Sequence, residues 1–234
     1  MDRRVEPELA DHLPGDDPRA IRFRRDLRRL NAMLMNDRLV ARALTRACGD
    51  SVPRVVADLG TGDGTLMLSV AQRLAPRWRN VTVFLVDQQD IVSAATREGF
   101  AALHWNVQTV AADVFDFLER PGPDFDIITA NVFLHHFTED RLQRLFEAVA
   151  ERSRLVVACE PRRTPFVREA SRMLWLLGYG DVVVQDAVTS ARAGFIGAEM
   201  TQCWPASADW KIEEGNAGPF VHMFVAKCVP IAPR

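Results

Sequence analysis

The chain has 234 residues, of which 48% are hydrophobic and 26% charged, as in an ordinary globular protein with one well-formed core. Its net charge of −2 gives no general attraction to nucleic acids or anionic membranes, and no apolar run approaches the ~20 residues of a membrane helix. The four scattered cysteines form no C-x-x-C pair and the N-terminal residues form no secretory apolar segment, so we expect a reduced, cytoplasmic protein without disulfides or zinc.

The first 50 residues predict an arm followed by two helices. Residues 1–16 are polar, acidic and interrupted by prolines, so we expect a loose arm. Asp17 and Pro18 then supply an N-cap and a proline at the first helical position. Apolar residues recur at helical spacing from Phe23 to Leu34, and a second helix is predicted from Asp37 to Gly49.

Short apolar segments alternate with helical patterns in the middle of the chain. Strands are predicted at residues 55–59, 81–87, 107–111, 126–131 and 155–159. This alternation predicts a parallel sheet covered by helices on both faces. Ligands bind such sheets at the carboxyl ends of the strands, where the sequence places Asp58, Asp87, Asp113, Asn131 and Glu160.

The last third of the chain is less regular. Thr164 and Pro165 predict the start of a helix that ends at Gly178. Residues 179–205 show no clear period, and the valines at 182–184 fit either a strand or a loop. Residues 210–227 predict an antiparallel hairpin around a Gly-Asn-Ala-Gly turn.

A glycine-rich turn separates the first strand from its helix. Asp58 ends the strand, and Gly60, Gly62 and Gly64 follow in the pattern G-x-G-x-G. A dinucleotide loop instead has the pattern G-x-G-x-x-G and supports a pyrophosphate. An acidic residue just before the turn repels phosphate and attracts an amine, so the loop favours a zwitterionic amino-acid moiety.

Residues 56–64 resemble the first motif of the class I S-adenosylmethionine (SAM) dependent methyltransferases. The resemblance implies an α/β, Rossmann-like, doubly wound fold with a mostly parallel seven-stranded sheet whose last strand is antiparallel. N-terminal helices and a helical insertion before strand six would be added to it. We therefore expect an N-terminal arm and helical cap at 1–50, and a SAM-binding methyltransferase domain at 51–234 with a substrate-side insertion at 162–205.

The resemblance also assigns cofactor roles. Asp58 would hold the methionine end of SAM, directly or through water, Asp87 the ribose hydroxyls, and Asp113 the adenine amine. Asp87 alone would suit a dinucleotide equally well, and Asp113 alone could cap a helix, but three acids in this order favour SAM. The predicted cofactor residues are Asp58, Gly60, Gly62, Gly64, Asp87, Asp113, Val114 and Asn131.

The fourth strand leads into the run Asn131-Val-Phe-Leu-His-His-Phe137. It places two histidines at the cofactor-facing end of the sheet, and Phe133 and Phe137 can form apolar walls beside them. Methyl transfer to a phenolic oxygen gains from a general base, so His136 or His135 is the candidate base. The alternative is that a histidine packs near the cofactor and takes no proton.

The acceptor side is predicted in the N-terminal helices and the insertion. Arg162, Trp175 and Arg192 lie in that insertion, and aromatic walls with a few arginines suit a planar, anionic phenolic substrate. No proline-containing motif for an extruded nucleic-acid base follows the fourth strand. Glu160 is the one acid near strands four and five that is available to a cation, so we expect no metal.

The sequence thus predicts SAM-dependent O-methylation of a phenolic or polyketide-like small molecule in natural-product biosynthesis. One alternative is C-methylation of an electron-rich ring, and another is a non-catalytic SAM-binding partner protein. A homodimer is left open.

Overall fold

The computed structural model describes residues 2–206 and 209–229. Seven strands form one sheet in the order β3-β2-β1-β4-β5-β7-β6. They are β1 (Val55–Leu59), β2 (Thr82–Asp87), β3 (Asn106–Ala111), β4 (Ile127–Asn131), β5 (Leu155–Pro161), β6 (Trp210–Asn216) and β7 (Val221–Cys228).

The pairing of the strands confirms the predicted fold class. Strands β1 to β5 pair in parallel, β7 runs antiparallel to β5, and β6 runs antiparallel to β7. The strand order reverses between β1 and β4, because β2 and β3 lie on one side of β1 and β4 and β5 on the other. Such a switch point opens a crevice at the carboxyl ends of the strands, where ligands bind in folds of this type.

Helices cover both faces of the sheet. They are α1 (Pro18–Met33), α2 (Asn36–Cys48), α3 (Thr65–Leu74), α4 (Ala94–Ala102), α5 (Val114–Glu119), α6 (Glu139–Arg152), α7 (Pro165–Arg172), α8 (Asp181–Ala193) and α9 (Glu199–Cys203). Helices α2, α3 and α4 pack on one face, and α5, α6 and α9 on the other. Within the described residues, none of these helices is long and apolar enough to cross a membrane.

Helices α1 and α8 join to form a wall beside the sheet. Asp17 caps α1 by accepting a hydrogen bond from the backbone of Arg19, as its sequence predicts. Asp26 on α1 is buried and accepts a hydrogen bond of 2.9 Å from the backbone nitrogen of Gly180, just before α8. This contact fixes α1 against α8, so the apolar face of α1 points toward the end of the sheet.

The irregular segment after β5 is helical where the sequence suggested a strand or loop. Residues 182–184 lie in α8, whose buried positions include Val183, Asp186 and Ser190 at helical spacing. Two of these three buried side chains are polar, so hydrophobic periodicity does not reveal the helix. The predicted helix that ends at Gly178 is instead α7 followed by a 3-10 helix at Met173–Leu177.

The N-terminal arm, defined here as residues 2–16, is docked and not loose as predicted. Arg3 donates hydrogen bonds of 2.8 Å to the Ala193 carbonyl and 2.9 Å to the Phe137 carbonyl. Its guanidinium also lies 4.4 Å from the centre of the Phe195 ring. Polar residues hold the arm, so its polar composition is no sign of disorder.

Candidate functional site

The glycine loop between β1 and α3 has a left-handed backbone. Gly60, Gly62 and Gly64 have φ values of +67°, +58° and +73°, which side chains rarely tolerate. At Gly60 the space is also closed, because a Cβ atom there would lie 2.1 Å from the Phe133 ring. The loop backbone can therefore lie directly against the segment after β4.

Asp58 lies beneath this loop at the end of β1. It is 3% exposed and accepts hydrogen bonds from the hydroxyl of Thr129 at 2.6 Å, the hydroxyl of Thr61 at 2.8 Å and the amide of Asn131 at 3.1 Å. Burial raises its pKa to about 6, although the three hydrogen bonds oppose this rise. Asp58 is thus a buried acid that organises the strand ends and does not line the cavity described below.

Asp87 and Asp113 end the next two strands. Asp87 accepts hydrogen bonds from the backbone nitrogens of Gly62 at 2.8 Å and Gln89 at 3.1 Å, which ties the glycine loop to β2. Asp113 caps α5 by accepting a 2.8 Å hydrogen bond from the Phe115 nitrogen. Both carboxylates also line the large cavity, so a capping role and a ligand-facing position coincide at Asp113.

A cavity of about 610 Å³ opens at the carboxyl ends of the strands. Its volume is that of a typical small-molecule site. One end is lined by the loop and strand ends, including Gly60, Val86, Asp87, Asp113, Val114 and Val132. The other end is lined by apolar residues of α1, α7 and the segments around α8, including Phe23, Leu27, Leu30, Val167, Leu174 and Val183. The cavity therefore has a polar end at the sheet and an apolar end beneath α1, α7 and α8.

His135 is buried between two carboxylates. Its Nδ1 atom lies 2.8 Å from Oε2 of Glu160, and its Nε2 atom lies 3.3 Å from Oε1 of Glu8. Burial lowers the pKa of the imidazole, but the two carboxylates outweigh burial and raise that pKa to about 9. His135 is therefore an imidazolium at neutral pH and is blocked on both nitrogens.

His136 faces the cavity with 25% of its side chain exposed. Its Nε2 atom lies 4.0 Å from Oε2 of Glu8, and its Nδ1 atom lies 3.6 Å from Oδ2 of Asp11. Burial and the neighbouring His135 charge lower its pKa, so His136 is neutral at neutral pH. Of the two histidines, His136 is the one that can accept a proton from a molecule in the cavity.

The remaining predicted residues divide into two groups. Phe133 and Phe137 line the cavity with their rings 5.1 Å apart at 80°. Arg162, Trp175 and Arg192 do not line it.

Two of these three side chains, those of Trp175 and Arg192, have surroundings that keep them out of the cavity. Trp175 lies in the 3-10 helix and is 62% exposed, and the guanidinium of Arg192 lies 3.7 Å from the carboxylate of Glu6 in the N-terminal arm. Arg162, Trp175 and Arg192 therefore lie outside this cavity, and their role in binding a substrate stays a prediction.

Glu8 and Asp11 of the N-terminal arm were not among the site residues predicted from the sequence. Both line the cavity beside His136. Their segment shows no regular period, and their partners lie more than 120 residues away in the chain. No local pattern could have revealed this contact.

Comparisons with known proteins agree with this architecture. Residues 56–154 match a family described as methyltransferase domain. Over 111 residues the chain is 32% identical to a polyamine aminopropyltransferase from Synechococcus sp. (strain JA-2-3B'a(2-13)), a match that covers 44% of this chain and only 34% of that relative.

Two solved structures share the fold. One is the plantazolicin methyltransferase BpumL in complex with SAH, with a TM-score of 0.63, 12% identity and coverage of 91% of both chains. The other is an O-methyltransferase family protein from Burkholderia thailandensis, with a TM-score of 0.59, 16% identity and coverage of 92% of this chain and 61% of that chain. Residues 56–154 thus match a methyltransferase domain, and the chain has the fold of the class I SAM-dependent methyltransferases.

Proposed function

We propose that the protein transfers a methyl group from SAM to an oxygen of a phenolic or polyketide-like small molecule. This proposal is supported by one cavity that is lined by the glycine loop, Asp87 and Asp113 at one end and by His136 and an apolar wall at the other. A cofactor site and an acceptor site with a base between them are therefore continuous. Natural-product biosynthesis is the proposed setting.

The residues at the polar end of the cavity fit SAM. Asp87 and Asp113 each use part of their hydrogen-bonding capacity within the chain, and a carboxylate offers about four acceptor positions. Ribose hydroxyls and the adenine amine are donors that such carboxylates bind. Asn131 does not line the cavity, but its buried Oδ1 atom has no hydrogen-bond partner in the described part of the chain, so a donor group that reaches it would satisfy it. The structure of BpumL contains SAH, which supports the same cofactor here.

SAM supplies a methyl group on a sulfonium, and the transfer is an in-line displacement in which the new C–O bond forms as the C–S bond breaks and its electron pair passes to sulfur. The chain's residues would orient the acceptor and remove its proton. Phe133 and Phe137 keep water from the reacting atoms, and His136 takes the proton of the acceptor hydroxyl. His135 cannot do so, because both of its nitrogens face carboxylates.

The apolar end of the cavity supports an aromatic or polyketide-like acceptor. Leu27, Leu30 and Leu174 offer contact area for a flat apolar body. Arg162 and Arg192 lie outside the cavity, whereas Arg141 lines it with its guanidinium 5.5 Å from the centre of the Phe137 ring, so a cation for an anionic group on the substrate would come from Arg141.

The test is turnover with labelled SAM and a panel of phenolic compounds. Replacing the base costs on the order of 10²- to 10⁴-fold, so His136→Ala should lower kcat by about that factor while SAM affinity is retained. His104→Ala is the matched control, because His104 is exposed and does not line the cavity. Wild-type turnover in His136→Ala would refute the role of this histidine. The methyl shift in the NMR spectrum of the product separates O-methylation from C-methylation, and SAM binding without transfer to any compound would favour a non-catalytic partner protein.

The cofactor assignment has its own test. Asp87→Ala should weaken binding of S-adenosylhomocysteine (SAH) in calorimetry by about tenfold or more, because charge-assisted hydrogen bonds to the ribose are lost. Asp90→Ala is the control, since Asp90 lies three residues further on and pairs with Arg97 at 3.1 Å. Unchanged affinity in Asp87→Ala would overturn the ribose assignment.

A cytoplasmic location remains a prediction, and assembly as a homodimer stays open. Cell fractionation tests the first, and analytical ultracentrifugation of the purified chain tests the second.

A further inference from the structure

The N-terminal arm is anchored at several points around the histidine pair. The backbone nitrogens of Leu9 and Ala10 donate hydrogen bonds of 2.8 and 3.0 Å to the two carboxylate oxygens of Asp186 on α8. With the contacts of Arg3 described above, these bonds bracket Glu8 from both sides. The position of Glu8 is therefore set by the arm and by α8 together.

Glu8 reaches both histidines with one carboxylate. Its Oε1 atom lies 3.3 Å from Nε2 of His135, and its Oε2 atom lies 4.0 Å from Nε2 of His136. The hydroxyl of Ser190 donates a short hydrogen bond to Oε1. Glu8 is itself buried, so its charge acts on both rings with little screening by water.

We propose that Glu8 is a positioning residue that holds the histidine pair ready for proton transfer, so that docking of the N-terminal arm completes the catalytic site. This inference rests on the proposed function, in which His136 takes the proton of the acceptor. Glu8 would hold His135 in its charged form from one side while Glu160 holds it from the other. It would also place a carboxylate beside the imidazolium that forms on His136 after proton transfer.

The balance of charge around His136 supports this arrangement. The groups that face it are Glu8 and Asp11 from the arm, His135 from its own segment and Glu160 from β5. Asp186 of α8 lies beside Glu8, and burial raises its pKa to about 6. The His135 charge and burial favour neutral His136 before the reaction, and the carboxylates stabilise its protonated form during it.

A divalent metal is the competing occupant of the same place. Donor atoms of Glu8, His135 and His136 all lie within 4.8 Å of one another. The two occupants make different predictions, because a metal would replace the Glu8–His135 contact and would need a neutral His135.

The first experiment is a ¹⁵N NMR titration of the five histidines in the full chain, in wild type and in Glu8→Gln. The wild-type His135 ring should titrate well above an ordinary histidine, and Glu8→Gln should lower its midpoint, because one of two carboxylate partners is lost. Glu6→Gln is the matched control: it removes the same charge from the same arm, but Glu6 pairs with Arg192. A His135 midpoint that is equal in wild type and Glu8→Gln would overturn the inference.

The second experiment is kinetic. Glu8→Gln should lower kcat on the order of 10- to 100-fold with the affinity for SAH unchanged, and the acid limb of the pH–rate profile should move. A merely structural contact would lower the melting temperature and leave that limb in place, and such a result would count against positioning. If Glu8→Gln does not fold, Ser190→Ala decides the matter, because it keeps the carboxylate and removes one donor. It should lower kcat by roughly fivefold, the effect of one hydrogen bond, and wild-type kcat with an unmoved pH limb would overturn the inference.

Elemental analysis of the purified protein separates the two occupants. About one divalent metal per chain, lost in Glu8→Gln or on treatment with EDTA, would replace the positioning role by a metal site. Failure of the proposed function has a different signature, since the NMR shift would occur while the wild type methylates none of the compounds.

Discussion

The buried pair of Thr129 and Asp58 allows a quantitative test of the electrostatics beneath the glycine loop. The hydroxyl of Thr129, on β4, donates a 2.6 Å hydrogen bond to Oδ1 of Asp58, and both side chains are buried. Thr129→Val keeps the shape of the side chain and removes the donor. Because that hydrogen bond stabilises the ionised carboxylate, its loss should raise the pKa of Asp58 above its wild-type value of about 6.

The magnitude follows from the pKa. Asp58 has an ordinary pKa of 3.8 that burial raises to about 6, so ionisation costs the folded state as the pH rises through that window, by about 3 kcal/mol in total. Thr129→Val should extend this loss to higher pH. A hydrogen bond to a charged group contributes ~1.5–3 kcal/mol and a neutral one ~0.5–1.5 kcal/mol. The variant should therefore lose about 1 kcal/mol of unfolding free energy at pH 5 and about 2 kcal/mol or more at pH 8.

The assay is urea unfolding of wild type and variant at both pH values. Thr96→Val is the control, because Thr96 is buried on α4 and its hydroxyl lies 2.9 Å from the neutral hydroxyl of Ser93. Its cost should be the same at pH 5 and pH 8. An equally pH-independent cost for Thr129→Val would refute the assignment of a carboxylate that titrates near pH 6.

Two further substitutions test the loop and the core. Gly60→Ala should weaken SAH binding in calorimetry by about tenfold or more, because the new Cβ would displace the Phe133 ring from the cavity wall. Gly62→Ala has a similar φ and meets no atom within 4 Å. It should therefore show only the cost of a left-handed backbone at a residue with a side chain, ~1–2 kcal/mol. Equal effects at the two glycines would contradict this. Phe224→Ala should lower the unfolding free energy by about 3–5 kcal/mol in urea, because the ring is fully buried between the sheet and α6. Phe166→Ala, at a side chain that is 61% exposed, should cost about 0.5 kcal/mol or less, and a similar cost for Phe224→Ala would show that its ring is not part of the core.

Local patterns were sufficient for the parallel part of the fold. The apolar segments that end in Asp58, Asp87 and Asn131 are strands β1, β2 and β4, because continuous apolar runs of this length are buried on both sides of a sheet. Consecutive parallel strands also bring their carboxyl ends to one edge. A sequence can therefore predict that these side chains meet, although it contains no information on distances.

The glycine loop is a second local feature. The left-handed φ at Gly60 follows from a requirement of the backbone, and such a requirement is visible as a residue type. The class I methyltransferase fold predicted from this motif was confirmed, and residues 56–154 match a methyltransferase domain. The role of each site residue stays a prediction.

The surroundings of the proposed acceptor site depend on tertiary packing. Helix α8 buries Asp186 and Ser190 together with Val183, so its inward face is partly polar and shows no clear hydrophobic period. Trp175 and Arg192 look suited to a substrate by residue type, yet the local helix geometry turns both outward.

The sheet, the glycine loop and the carboxylates at the strand ends could be predicted from local sequence, because their signals lie within single elements. The contact of Glu8 with His135 was decided by the tertiary structure alone. The arm has no periodicity and meets the histidines across more than 120 residues of chain, so the partners of the histidines depend on interactions between residues far apart in the chain. The glycine loop could therefore be predicted from the sequence, whereas the surroundings of the candidate base could not.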